Sequence, residues 1–225
     1  MDFIKVLAVV FAALFPVVNP IGDAPIFLSL TRNYPQAAQE ILSRKIAAYG
    51  FALLAVSFLF GSEILSFFGI TLVVIQITGG LIVAVTGWTL LNQQAPASSG
   101  EQSADTLEDA LQHAFYPLTL PITVGPGCIS IAITLGAHLR HQAGPGFEHG
   151  YPSHFLAALL GMFLLCVLVW ICYGNADRLV QMLGKAGTNI VTRLSAFILM
   201  AIGVQIMWNG LSSGMPTLFA PMIGH

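Results

Sequence analysis

The sequence predicts an all-α membrane protein of six transmembrane segments, arranged as two inverted three-helix repeats in which spans 1 and 4 are broken. Three observations predict it. Apolar residues fill 56% of the 225 positions and charged residues only 8%. The apolar residues fall into six long stretches. One proline-rich interruption occurs twice, once in each half.

The charge deficit decides the class. A soluble domain carries about 25% charged residues. A chain with a third of that cannot keep its surface wet, and the solvent that accepts an apolar surface is a lipid bilayer. The net charge of −2 is uninformative about partners, and there is no basic run to meet a nucleic acid. The three cysteines, Cys128, Cys166 and Cys172, all lie in apolar stretches. They read as small packing residues.

A hydrocarbon core about 30 Å thick needs roughly 20 apolar residues as helix. Spans are expected near 3–31, 46–67, 70–91, 113–137, 154–173 and 193–212. The stretch from Lys5 to Val18 reads as part of a span, not a signal peptide, because it runs directly into a motif that recurs. Spans 1 and 4 are interrupted in mid-course, by Pro16, Pro20 and Pro25 and by Pro117, Pro121 and Pro126. Each proline removes a backbone donor and clashes with the preceding turn. Two half-helices around an unwound centre are therefore expected in each. Aromatic-Pro-x-x-x-Pro-Ile occurs at 15–21 and at 116–122. The repeat unit holds three spans, an odd number, so the second copy enters the membrane from the other side. Residues 1–91 form the first repeat, 92–112 a linker and 113–225 the second repeat.

Basic residues set the orientation. Arg32, Arg44 and Lys45 lie between spans 1 and 2, and Arg178, Lys185 and Arg193 between spans 5 and 6. Lys5 and Arg140 lie on the other side. Those connections are thus expected in the cytoplasm and both termini in the periplasm. The 92–112 linker, with Glu101, Asp105, Glu108 and Asp109, is expected to be cytoplasmic. The Gly- and His-rich stretch 138–152 is expected to be an exposed loop.

Backbone unwound at mid-depth is tolerated only inside protein or around a wet cavity. Two breaks suggest one shared cavity. Asp23 is the one acid placed near mid-membrane, and an ionisable group there is a functional hypothesis by default. Its position before Pro25 equally fits a helix N-cap. Asn19 could coordinate a solute or ion, or bond the broken backbone. Gly22 belongs to the same break. Gly125-Pro126-Gly127 allows a close backbone approach to a ligand at a helix N-terminus, or a tight kink without one. Gln76, Gly80 and Ala84 share one face, which fits helix packing or, for Gln76, the cavity wall. Thr119, Thr123, Ser130 and Gln205 are further polar candidates. His138, His141, His149 and His154 are too loosely spaced to read as a metal site. No metal or cofactor is expected beyond a coupling H+ or Na+. Nothing matches a nucleophile elbow, a phosphate loop or a His-Glu-x-x-His helix, so no enzyme is read.

The stretch Asn19-Pro20-Ile21-Gly22-Asp23-Ala24-Pro25-Ile26-Phe27 resembles the MarC family, also described as the neutral amino acid transporter family. Pro117-Leu118-Thr119-Leu120-Pro121 and Gly125-Pro126-Gly127 resemble its second motif. The resemblance covers essentially the whole chain outside 92–112 and 138–152. It implies a bacterial inner-membrane protein and, for some members, transport of small neutral amino acids. The functional expectation is a secondary transporter of small solutes working by alternating access, with lipid, a small neutral solute and a second copy of the chain as candidate partners. The competing reading is a non-transporting membrane scaffold whose breaks are packing devices.

Overall fold

The computed structural model describes residues 2–92, 111–142 and 151–223, and among them it is all helix, with no strand. The acidic residues of the linker and His149 lie outside the described residues. Eight elements follow in order: α1 (Phe3–Val18), α2 (Pro20–Thr31), α3 (Gln36–Phe67), α4 (Leu72–Asn92), α5 (Ala114–Thr123), α6 (Pro126–Gln142), α7 (Tyr151–Gly174) and α8 (Ala176–Ile223). Five spans are long and apolar enough to cross a bilayer, and the bent pair α5–α6 makes a sixth. Large apolar side chains such as Ile4, Val56, Phe60, Val85, Trp88 and Ile190 point outward, as a lipid-solvated surface requires.

Several boundaries differ from expectation. α3 begins at Gln36, ten residues before the predicted span. Its first turns are polar and are held by an exposed Glu40–Arg44 pair at i,i+4, which a search for apolar runs does not see. α6 continues to Gln142, so 138–142 is helix and not loop. α8 runs far beyond the predicted span 193–212, from Ala176 to Ile223, and is interrupted at Gly184, where φ is +63°. Positive φ costs glycine nothing.

The first span also corrects the expectation of an unwound centre. Its break is one residue wide, at Asn19. Pro16 lies within the last turn of α1 and Pro25 within α2, and the span runs on through 29 residues, Phe3–Thr31. Pro20 takes the first helical position, where no N–H is needed. The fourth span behaves as expected: α5 and α6 meet at an angle of 69°.

The helices pair in a regular way. α3 packs on α5 and α6, and α7 packs on α2 and α1. α4 packs on α6, and α8 on α2. α3 meets α7, and α4 meets α8. α4 and α8 approach backbone to backbone through glycines. A Cβ placed on Gly80 would lie 2.5 Å from the Met207 nitrogen, and one on Gly87 would lie 2.5 Å from the Met200 nitrogen. The small-residue face of α4 is therefore a packing face, where backbones approach for want of side chains. Near the C-terminal end of α3, Arg140 of α6 donates to Glu63, Ser62 and the Leu59 carbonyl. Arg140→Ala is expected to cost about 1–2 kcal/mol, since Glu63 is half exposed. Thermal unfolding in detergent measures it; an unchanged midpoint would show that this cluster contributes nothing.

Candidate functional site

The two breaks are built differently from the same problem, the loss of backbone donors at proline. At the first, Asn19 takes the left-handed conformation, φ 45° and ψ 55°. Asparagine tolerates this better than most residues. Its own N–H donates to the Phe15 carbonyl at 2.8 Å, closing α1. Its side-chain oxygen accepts the Gly22 N–H at 3.2 Å, opening α2. Asn19 thus serves as both C-cap and N-cap. Gly22 makes room for it: a Cβ there would lie 2.2 Å from the Asn19 side-chain nitrogen. Asn19→Gly keeps the conformation and loses one cap, whereas Asn19→Ala loses the cap and forces alanine to positive φ. The alanine variant is expected to be less stable than the glycine variant by about 1 kcal/mol, read as the difference in thermal midpoints. Equal midpoints would remove the conformational account.

At the second break Pro117 and Pro121 are four residues apart and Thr119 and Thr123 follow each by two. Tyr116 and Leu120, each just before a proline, are extended, as that position favours. The chain between them is widely wound, with backbone bonds spanning five residues (Leu118 N–H to His113, Val124 N–H to Thr119). Thr119 donates its hydroxyl to the Ala114 carbonyl and Thr123 to the Leu118 carbonyl, at 2.7 and 2.8 Å. Two backbone acceptors are thereby satisfied by side chains. α6 then starts at Pro126. The N–H groups of Cys128 and Ile129 bond the Gly125 carbonyl at 3.0 and 3.3 Å. Among the described residues the Gly127 N–H has no backbone partner.

Both breaks face one cavity of about 540 Å³. The first contributes Val17, Asn19, Asp23 and Ile26; the second contributes Pro121 to Cys128 except Thr123 and Val124. Ile82, Val83, Thr86 and Leu90 of α4 and Leu199 of α8 complete the wall. Among the described residues no Lys, Arg or His lines it. Asp23 is 8% exposed. Among the described residues its carboxylate has no hydrogen bond or ion pair, and the cap of α2 is Asn19 and not Asp23. A carboxylate held out of water without a partner is costly, and this one faces open space.

Of the predicted site residues, Asn19, Asp23, Gly125 and Gly127 are brought together. Gly22 lies buried beneath the Asn19 side chain. Thr123 points away from the cavity and shares a 3.0 Å hydrogen bond with the Tyr173 hydroxyl. Gln76 lines a different cavity. Sequence reading missed Tyr173, which stacks on Phe27 of α2 with centroids 4.7 Å apart while bonding Thr123 beside the second break. It braces both breaks from α7. It also missed Thr86, whose spacing of ten from Gln76 on α4 gave no signal. Among the described residues no three metal-ligating side chains converge.

A family model described as the MarC family integral membrane protein matches residues 4–215. The chain belongs to the MarC family. The inner membrane protein MarC of Salmonella typhimurium is 31% identical over 217 residues, covering 93% of this chain and 96% of its own length. That of Citrobacter koseri is 31% identical over 216 residues with the same coverage. That of an Escherichia coli strain is 30% identical over 216 residues, covering 94% and 96%. No solved structure matches the chain. The MarC proteins matched here are named inner membrane proteins, in keeping with the apolar spans. The match takes in both proline-rich breaks.

Proposed function

We propose that this chain is a secondary carrier of small neutral solutes, amino acids first among them, in the bacterial inner membrane. The observation that carries this reading is the single cavity onto which both span breaks open, with the unpartnered Asp23 carboxylate in its wall. A solute ammonium would pair with Asp23, and a solute carboxylate would take the Gly127 N–H at the start of α6, where the helix dipole favours negative charge. The carrier is not an enzyme in this reading.

Residues 1–91 and 113–225 are the two inverted repeats. The pairing of helices supports this: exchanging spans 1, 2 and 3 with 4, 5 and 6 maps α3–α6 onto α7–α2 and α4–α6 onto α8–α2, both of which exist, and leaves α3–α7 and α4–α8 each mapped onto itself. Rocking of the halves would alternate access to the cavity. Both termini lie in the periplasm, as the distribution of Lys and Arg favours. The test is uptake of labelled alanine and glycine into proteoliposomes, with a proton or a sodium gradient imposed in turn. Uptake above protein-free vesicles supports the carrier. Tight vesicles with no uptake of any small solute favour the scaffold.

A further inference from the structure

A second cavity, of about 310 Å³, lies on the same helices. Its wall takes Ala12 and Ala13 from α1, Gln76 from α4, Ile131, Thr134 and Leu135 from α6, and Ile202, Ile206 and Asn209 from α8. The directions are informative. The first cavity runs up the chain in the first span (17 to 26) and in α4 (82 to 90), and down the chain in the fourth span (128 to 121) and α8 (199). The second cavity departs from the same level in the reverse sense on all four: down to 12 and 76, up to 135 and 209. The two cavities therefore occupy opposite ends of one four-helix seam.

Between them the seam is shut by α4 against α6. Ser130 donates its hydroxyl to the Ile75 carbonyl at 3.0 Å. Gly79 lies against Ser130, and Gly127 against Val83 and Val17, so that no side chain could be added at either glycine without displacing its neighbour. Among the described residues no charged side chain lines the second cavity. It holds the Gln76 amide, which has no hydrogen-bond partner among the described residues, and Asn209, whose amide oxygen accepts from Gln205 at 2.9 Å. An amide offers a donor and an acceptor together.

We propose that the second cavity is a solute-binding station on the opposite side of the membrane from the first, taking an uncharged or zwitterionic polar solute on Gln76 and Asn209, and that the Val83–Gly127 and Gly79–Ser130 contacts are the gate between the two. The inference rests on the carrier reading for its solute, but not for its geometry.

The experiment separates the two. Thr86→Cys and Asn209→Cys are made singly in a chain with Cys128, Cys166 and Cys172 replaced by Ser, and each is treated with a membrane-impermeant charged thiol reagent from one face of oriented vesicles at a time. Thr86→Cys is expected to react from one face only and Asn209→Cys from the other. Adding Val83→Ala is expected to let reagent reach position 209 from the Thr86 face. Reaction of both positions from the same face, or reaction of position 209 with lipid-soluble reagents alone, overturns the proposal. Gln76→Leu is then expected to raise the KM of uptake while leaving labelling at position 86 unchanged; an unchanged KM removes Gln76 from the station. Labelling from opposite faces in vesicles that take up no solute keeps the geometry and rejects the carrier.

Discussion

Asp23→Asn is expected to reduce solute uptake by about 10- to 100-fold, the loss of one charge-assisted hydrogen bond to the solute. It is expected to leave folding intact. Among the described residues the carboxylate bonds nothing, so its removal strands no partner there. The amide has nearly the same shape and is cheaper to bury. Proteoliposome uptake and thermal unfolding are measured on the same preparation. Lost uptake with an unshifted midpoint is the expected pair. Uptake at the parent rate removes Asp23 from the mechanism. A lowered midpoint would show that Asp23 serves the fold.

Gly80→Leu is expected to separate α4 from α8 and leave little folded protein. Ordinary overpacking costs about 1–3 kcal/mol because flexible side chains yield. Here the atoms in the way are backbone: the Met207 nitrogen at 2.5 Å and the Gly203 carbonyl oxygen at 2.7 Å from an added Cβ. The helices must move apart along the whole interface, so the loss is expected to exceed that range. Gly203→Leu meets the Ala84 nitrogen from the other side, at 2.3 Å, and is expected to behave alike. The readout is the yield of monodisperse protein in detergent and its thermal midpoint. A well-folded Gly80→Leu variant would mean that this close approach is not needed.

These expectations draw on features that differ in how plainly the sequence carries them. The spans were legible because hydrocarbon demands about 20 apolar residues in a row, and charge is too scarce to blur their edges. The ends of α3, α6 and α8 were not, because a helix leaving the lipid becomes polar without ceasing to be a helix. Proline marked both breaks, but not their form. Three prolines in the first span left a single non-helical residue, since Pro20 sits where a helix needs no N–H and Asn19 caps on both sides. Three in the second accompany a 69° bend between α5 and α6, where Val124 leaves helical geometry just before Gly125 and Pro126. Thr119 and Thr123, two residues after Pro117 and Pro121, looked like cavity polar groups; their hydroxyls instead donate to the Ala114 and Leu118 carbonyls of the same helix.

Asp23, Asn19, Gly125 and Gly127 were legible in the sequence. An acid inside a span costs too much to be incidental, and a glycine beside a proline break marks a place where backbone must come close. Gln76 lies on α4 but lines the second cavity and not the first. α4 borders both cavities along its length, and spacing alone does not say which of them a residue meets. Tyr173 and Thr86 gave no sequence signal, being ordinary residues made special by what packs opposite them.

Water in the space between the two breaks is what every functional statement above requires. The most direct measurement is the reaction rate of a hydrophilic thiol reagent with Thr86→Cys and Asn19→Cys, each in the Ser-replaced background, against Val56→Cys on the outer face of α3, where Val56 is 52% exposed. Both cavity positions are expected to react much faster than position 56, and a small amine is expected to slow them. Rates no higher than at position 56 would mean that the space is dry, and that the breaks in spans 1 and 4 are packing devices.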